Sequence, residues 1–287
     1  MLKGVFLFLV SALSFTGMHL LVKACSVSLP SEQLMFFRSL TGLVVLTAIL
    51  PFLRQRPVFF GRNLLPLVCR AFFGSVALFA FYKAISLIKV ANATMLCYTY
   101  PVFLTIFAGI FLKEKFTWKT AGFLLAGLAG VILIVKPRLG VVLTGELIGT
   151  FSGVMSGLAL LFVVLLRRRG EQSFTIVYYF FFVGTVISGL FVRQFVWQMD
   201  WLMYVKLLLI GLFSLLAQIS MTTGYKYVSA AAGGILSLAV VPFTALGALL
   251  ILRESLDILS VAGGVLVLIA AGLMIYYQKT AAGDSGE

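Results

Sequence analysis

The stretch Pro101–Val135, PVFLTIFAGIFLKEKFTWKTAGFLLAGLAGVILIV, is answered later in the chain by Pro242–Tyr276, PFTALGALLILRESLDILSVAGGVLVLIAAGLMIY. Each opens on a proline in an apolar run, breaks at a short charged segment around a glutamate, and closes on a glycine-rich apolar run. A shift of 141 residues carries Pro101 onto Pro242, Gly122 onto Gly263 and, outside the quoted stretches, Ser11 onto Ser152. Glu114 and Glu254 match after a slip of one residue, and Tyr82-Lys83 and Tyr225-Lys226 after a slip of two. Matches kept in order over so much chain mark an internal duplication.

The duplicated units are fit for lipid. Of 287 residues, 62% are hydrophobic and only 11% charged, and the mean hydropathy is +1.13; soluble domains carry roughly 25% charged residues. Ten apolar runs, near 3–23, 32–53, 64–86, 90–112, 117–136, 145–166, 173–193, 201–223, 229–252 and 257–278, each approach the length of one helical bilayer crossing. Ser31 and Asn63 precede helices, while Lys136-Pro137 and the triplet Arg167, Arg168, Arg169 follow them. The expected fold is an all-α membrane protein with ten transmembrane helices as two inverted five-helix repeats, 1–138 and 139–279, and a short polar tail, 280–287. Five is odd, so the second repeat must cross the membrane in the opposite sense to the first. Inverted repeats with a site at their interface are the design of alternating-access carriers.

Charge orients the chain. The net charge of +13 lies mostly at helix ends, which argues for membrane topology and against nucleic-acid binding. With both termini cytoplasmic, the inner side holds Lys3, Arg54, Arg56, Arg62, Lys113, Lys115, Lys119, Arg167, Arg168, Arg169, Lys226 and Lys279. The outer side holds half as many: Lys23, Lys89, Lys136, Arg138, Arg193 and Arg253. The N-terminal apolar run, with Lys3 before it, must be weighed as a cleaved signal, but its length fits a retained first span better. Lys23 stands where a lipoprotein site before Cys25 would need a small residue.

The repeat pattern, an apolar helix with a proline, a glutamate in KEK or RES, and a glycine-rich closing helix, twice over, resembles the ten-helix EamA family of the drug/metabolite transporter superfamily, over nearly the whole chain. The resemblance implies a cavity between the repeats and carriage of a small metabolite across the inner membrane: an amino acid, an amino-acid derivative, or a nucleoside-type or S-adenosylmethionine-like compound. One departure stands out: the 141-residue shift lands Arg38 on Tyr179, so the second repeat has no matching arginine.

The candidate residues follow from the cost of polar groups in lipid. Arg38, in MFFRSLTG, shares a helix face with Thr41 and Gly42, a small and polar surface suited to an interior. An intramembrane cation is a functional candidate by default, and a carboxylate or phosphate on the solute is its natural partner; an interfacial anchor is the alternative. Arg70, Lys83 and Lys206 lie where snorkelling to an interface explains them. Pro101 and Pro242 are expected to kink their helices and free the carbonyls of Cys97 and Leu238. Thr94, Tyr98, Pro101 and Thr105 share one helical face, as do Ser214, Gln218, Thr222 and Tyr225, and as do Tyr178, Phe182, Thr185 and Gly189. From these faces Thr94, Tyr98, Tyr178, Gln218 and Thr222 join Arg38 as candidate substrate-binding residues. Serines such as Ser11 and Ser156 are explained by close helix packing.

None of the nine acidic residues falls deep in a span. This favours a uniporter or exchanger over a proton-driven carrier, and Glu114 reads as a solvated helix-end charge or, alternatively, half of a gate ion pair. One histidine, His19, and three scattered cysteines, Cys25, Cys69 and Cys97, offer no metal or cofactor site and no catalytic triad. The expected partners are a small-molecule substrate and membrane lipid, with a homodimer left open. A lipid or lipid-linked sugar flippase is the nearest rival. An intramembrane enzyme is more distant, because no acid/base or metal-binding constellation is present.

Overall fold

The computed structural model describes residues 2–26, 28–49, 52, 63–88, 93, 96–114, 117–135, 143–252 and 258–283. In lipid every backbone N–H and C=O must find its partner within the chain, so apolar runs of this length become helices. They are α1 (Leu2–Cys25), α2 (Ser31–Ile49), α3 (Leu64–Leu87), α4 (Tyr100–Leu112), α5 (Trp118–Val135), α6 (Leu143–Arg168), α7 (Ser173–Phe191), α8 (Trp201–Gly224), α9 (Ala230–Ser237), α10 (Val240–Leu252) and α11 (Ile258–Gly283). Eight segments are long and apolar enough to cross a membrane, with α9 and α10 together forming one of them, and α4 and α5 are shorter apolar helices. The last helix continues through Gly283, into the expected tail.

Packing shows how the halves relate. Helix α3 lies on α6 as α8 lies on α1; α4 lies on α6 as α10 lies on α1; α2 meets α8 as α7 meets α3. The remaining large contacts, α5 with α11 and α2 with α7, join elements that exchange with one another. Exchanging α1 with α6, α2 with α7, α3 with α8, α4 with α10 and α5 with α11 therefore maps these contacts onto one another. The two halves are duplicated five-span units wrapped around each other, and the cavity lies between them.

Two seams show how glycine permits this. Where α5 crosses α11, a methyl group on Gly130 would stand 2.6 Å from the Gly263 carbonyl oxygen, and one on Gly263 would stand 2.5 Å from the Gly130 carbonyl oxygen. Backbone meets backbone, as at small-residue crossings in membranes. Where α2 crosses α7, the Phe181 ring fills the space above Gly42, and Ser39 packs over Gly184. A step of 142 residues carries Ser39 onto Phe181 and Gly42 onto Gly184, so this contact too obeys the exchange. The register of the duplication slips by one residue here.

The expected proline kinks are breaks between separate helices. Tyr98 and Thr99 form a turn in which the Thr99 N–H and Oγ1 both donate to the Leu96 carbonyl, at 3.3 and 2.6 Å, and α4 then starts with Pro101 in its first turn. In the second half, Leu238 and Ala239 form the turn between α9 and α10, and Pro242 lies in the first turn of α10. The Leu238 carbonyl is not freed: the Val241 N–H donates to it at 3.0 Å. Proline is at home in a first helical turn, where its missing N–H has no intrahelical acceptor to lose. The broken helices meet face to face, with Gly234 of α9 against Pro101 of α4.

Candidate functional site

A cavity of about 150 Å³ lies between the two halves. Its wall is drawn from α1 (Ser11, Phe15, His19), α2 (Arg38), α3 (Arg70, Gly74, Phe81), the turn before α4 (Cys97, Tyr98), α6 (Ser156), α7 (Phe180), α8 (Gln218) and the α9–α10 break (Ser237, Val240). Both helix breaks contribute, which is where irregular backbone is tolerated in a membrane.

Arg38 dominates the site. It is only 2% exposed, and its Nε and Nη1 have no hydrogen-bond partner among the described residues. Its guanidinium carbon stands 5.6 Å from the Phe180 ring centroid and 5.8 Å from that of Phe181. Arg70 is 3% exposed, stands 4.3 Å from the Phe180 centroid and donates from Nη2 to Gln218 Oε1 at 3.2 Å, while its Nε is unpaired. Snorkelling does not describe Arg70: the side chain folds inward. Gly74, one turn on, makes the room, since a methyl group there would fall 2.1 Å from Arg70 Nη1 and 2.8 Å from the Phe180 ring.

Two cations thus face one aromatic ring, and among the described residues no carboxylate lines the wall. A desolvated cation–π contact contributes roughly 2 kcal/mol, whereas an uncompensated buried charge costs several kcal/mol. The rings soften that cost without removing it.

The structure brings Arg38, Tyr98 and Gln218 together on one wall and leaves other candidates apart from it. Tyr178 packs with Leu46, Val177, Phe181 and Leu215, outside the cavity. The inward stripe of α7 runs through Ile176, Phe180, Gly184 and Ser188, because the small residues that admit α2 and α3 lie on that face, and Phe182 points outward at 49% exposure. Thr222 is fully buried, but its Oγ1 has no partner among the described residues and it does not line the cavity. Thr94 lies outside the described residues. Pro101 and Pro242 shape the helix breaks beside the cavity without lining it. Lining residues not singled out from the sequence are Arg70, Phe180 and Ser156, while Ser11 packs α1 on α8, donating to the Ala217 carbonyl at 3.0 Å, and also lines the cavity. The missed signal is a spacing: Arg38 and Arg70 are each followed four residues later by glycine, one helical turn along the same face.

At the end of the bundle that carries the N-terminus, Glu114 forms an ion pair with Arg168 and accepts from the Ala230 N–H, at the start of α9, at 3.2 Å. Lys113, with a left-handed φ of 53°, ends α4 and turns Glu114 toward α9. Asn63 donates to Glu171 Oε2 at 3.2 Å and accepts from Arg169 at 3.3 Å, so the start of α3 and the α6–α7 turn are tied at this end too. At the opposite end, Gln33 exchanges two hydrogen bonds with the Val196 backbone, at 2.8 and 2.9 Å.

The duplicated halves and the cavity between them, an apolar space into which two arginines reach, define the class: a multi-pass membrane transporter. The chain belongs to the EamA-like transporter family, which matches residues 2–136 and again 143–276. It is 30% identical over 270 residues, 93% of this chain and 94% of the relative, to the pseudopaline exporter of Pseudomonas aeruginosa. It is 28% identical over 144 residues, 47% of this chain and 46% of the relative, to the S-adenosylmethionine uptake transporter of Rickettsia bellii. A crystal structure that is 16% identical shares the fold, with a TM-score of 0.83 over 97% of this chain and 98% of that one.

Proposed function

We propose that the protein is a secondary transporter that moves a small polar or zwitterionic metabolite bearing a carboxylate or phosphate across the bacterial inner membrane by alternating access. The observation that carries this reading is Arg38, buried in a cavity between two duplicated halves with its Nε and Nη1 lacking a partner among the described residues. The solute's carboxylate or phosphate binds Arg38, Gln218 and Tyr98 supply neutral hydrogen bonds, and Phe180 forms the apolar wall. The lack of a carboxylate among the described lining residues supports a uniporter or an exchanger. Similarity to an exporter and, over half the chain, to an uptake transporter supports small-metabolite carriage.

Both termini are cytoplasmic in this reading, on the basis of charge distribution. The Glu114–Arg168 pair then closes the cytoplasmic end, and its breaking accompanies inward opening. The experiment is counterflow in proteoliposomes with a panel of labelled amino acids, their derivatives and S-adenosylmethionine. Wild-type protein exchanges at least one of them, and Arg38→Ala, folded and inserted, loses that exchange. Unchanged exchange by Arg38→Ala would remove the arginine's role.

A further inference from the structure

We infer that the transported solute carries two negative charges, held by Arg38 and Arg70, which both lie against the Phe180 ring: a dicarboxylate, an acidic amino acid or a phosphate dianion. The inference rests on reading the cavity as the transport site and specifies its substrate class.

A single carboxylate would satisfy Arg38 and leave the site with one excess cation. Arg70 is as buried as Arg38 and lies against the same ring, and its hydrogen bond among the described residues is to a neutral amide, Gln218. A bound monoanion therefore leaves the Arg70 charge uncompensated in a low-dielectric interior, where such charges persist only when paired. Two acidic groups, or one dianionic group, balance both guanidiniums, and each guanidinium has buried N–H groups without a partner among the described residues: Nε and Nη1 on Arg38, Nε on Arg70. The planar fork suits carboxylate and phosphate oxygens.

The positions are held from both sides. Gly42 admits the Phe181 ring beside Arg38, and Gly74 admits both the Arg70 guanidinium and the Phe180 ring. The two arginines come from α2 and α3 of the first half, and the two phenylalanines from α7 of the second. The 142-residue step carries Arg38 onto Phe180 itself, so the duplication has placed cation on one side of the axis and aromatic on the other. A cationic solute, such as one bearing a sulfonium, meets two like charges here, and a neutral zwitterion brings its ammonium among them. Selectivity runs from diacid through monoacid to cation.

The test is thermal stabilisation of the purified full-length protein by matched probes at constant ionic strength: succinate against succinamate, glutamate against glutamine, and inorganic phosphate against acetate. A ligand that prefers the folded state raises the melting temperature. The diacid member of the carboxylate pairs, or phosphate, stabilises the wild type more than its matched partner. Arg38→Gln and Arg70→Gln each weaken that binding about tenfold to a hundredfold, the effect of a lost charge-assisted hydrogen bond. Succinate and glutamate against phosphate distinguish two carboxylates from one dianionic group. Equal stabilisation within every pair, or an Arg70→Gln variant that keeps the full diacid increment, would overturn the proposal. Wild-type selectivity decides the matter if a variant does not fold. Counterflow separates the two readings: exchange of neutral or monoacid solutes in preference to diacids contradicts this inference and leaves transport standing. Stabilisation by diacids with no counterflow of any solute contradicts the transport reading and leaves the anion site standing.

Discussion

At the scale of single residues, the site is made by glycines as much as by arginines. Gly74→Ala puts a methyl group into the space of Arg70 Nη1 and the Phe180 ring; overpacking of this kind costs roughly 1–3 kcal/mol. The variant should melt at lower temperature and bind diacids more weakly, as measured by thermal denaturation with and without succinate. A variant as stable and as responsive as the wild type would show that the slot can widen. Arg38 was legible in the sequence because a charge seven residues into an apolar helix has few innocent explanations. Arg70 was not, because its distance from a helix end lies within the reach of a snorkelling side chain. Its direction is set by the glycine four residues on and by a ring from the other half of the chain, and the second of these is not written locally. Tyr178 was misplaced for the same reason: a hydroxyl marks a helix face as polar, but Gly184 and Ser188 decide which face of α7 turns inward.

At the scale of elements, ten apolar runs and their approximate limits could be read from length and hydropathy, because lipid leaves the backbone little choice beyond helix. The breaks could not. A proline in an apolar run permits either a kinked helix or a new start, and the outcome here follows from tertiary contact, with Gly234 resting on Pro101 across the axis. The α5–α11 crossing makes a sharp prediction. Gly130→Leu or Gly263→Leu drives a side chain into the facing backbone and should destabilise the protein by more than the roughly 1–3 kcal/mol of ordinary overpacking. Gly272→Leu, where an added methyl meets nothing within 4 Å, should leave the stability within about 0.5 kcal/mol of wild type, as surface changes do. Thermal denaturation in detergent compares them, and equal losses at all three positions would contradict the seam.

At the scale of the whole molecule, the internal repeat was the most informative feature of the sequence, since it implied both the duplicated halves and a cavity between them. What it did not carry was the asymmetry within the cavity: two arginines from one half, two phenylalanines from the other. The proposed cytoplasmic latch follows from the same arrangement. Arg168 is 44% exposed, so its pair with Glu114 adds little to folding stability, at most about 1 kcal/mol. That amount still shifts a balance between inward-closed and inward-open forms about fivefold. Glu114→Gln should therefore leave the melting temperature nearly unchanged while raising access to the cavity from the cytoplasmic face.

Native Cys97 lies on the cavity wall and reports that access directly. With Cys25 and Cys69 replaced by serine, an impermeant thiol reagent is applied to either face of oriented vesicles and the rate of Cys97 modification is measured. Alternating access about this cavity predicts modification from both faces, protection by a bound substrate, loss of transport once Cys97 is modified, and a faster cytoplasmic rate in Glu114→Gln. Modification from one face only, in wild type and variant alike and with transport intact, would contradict the account.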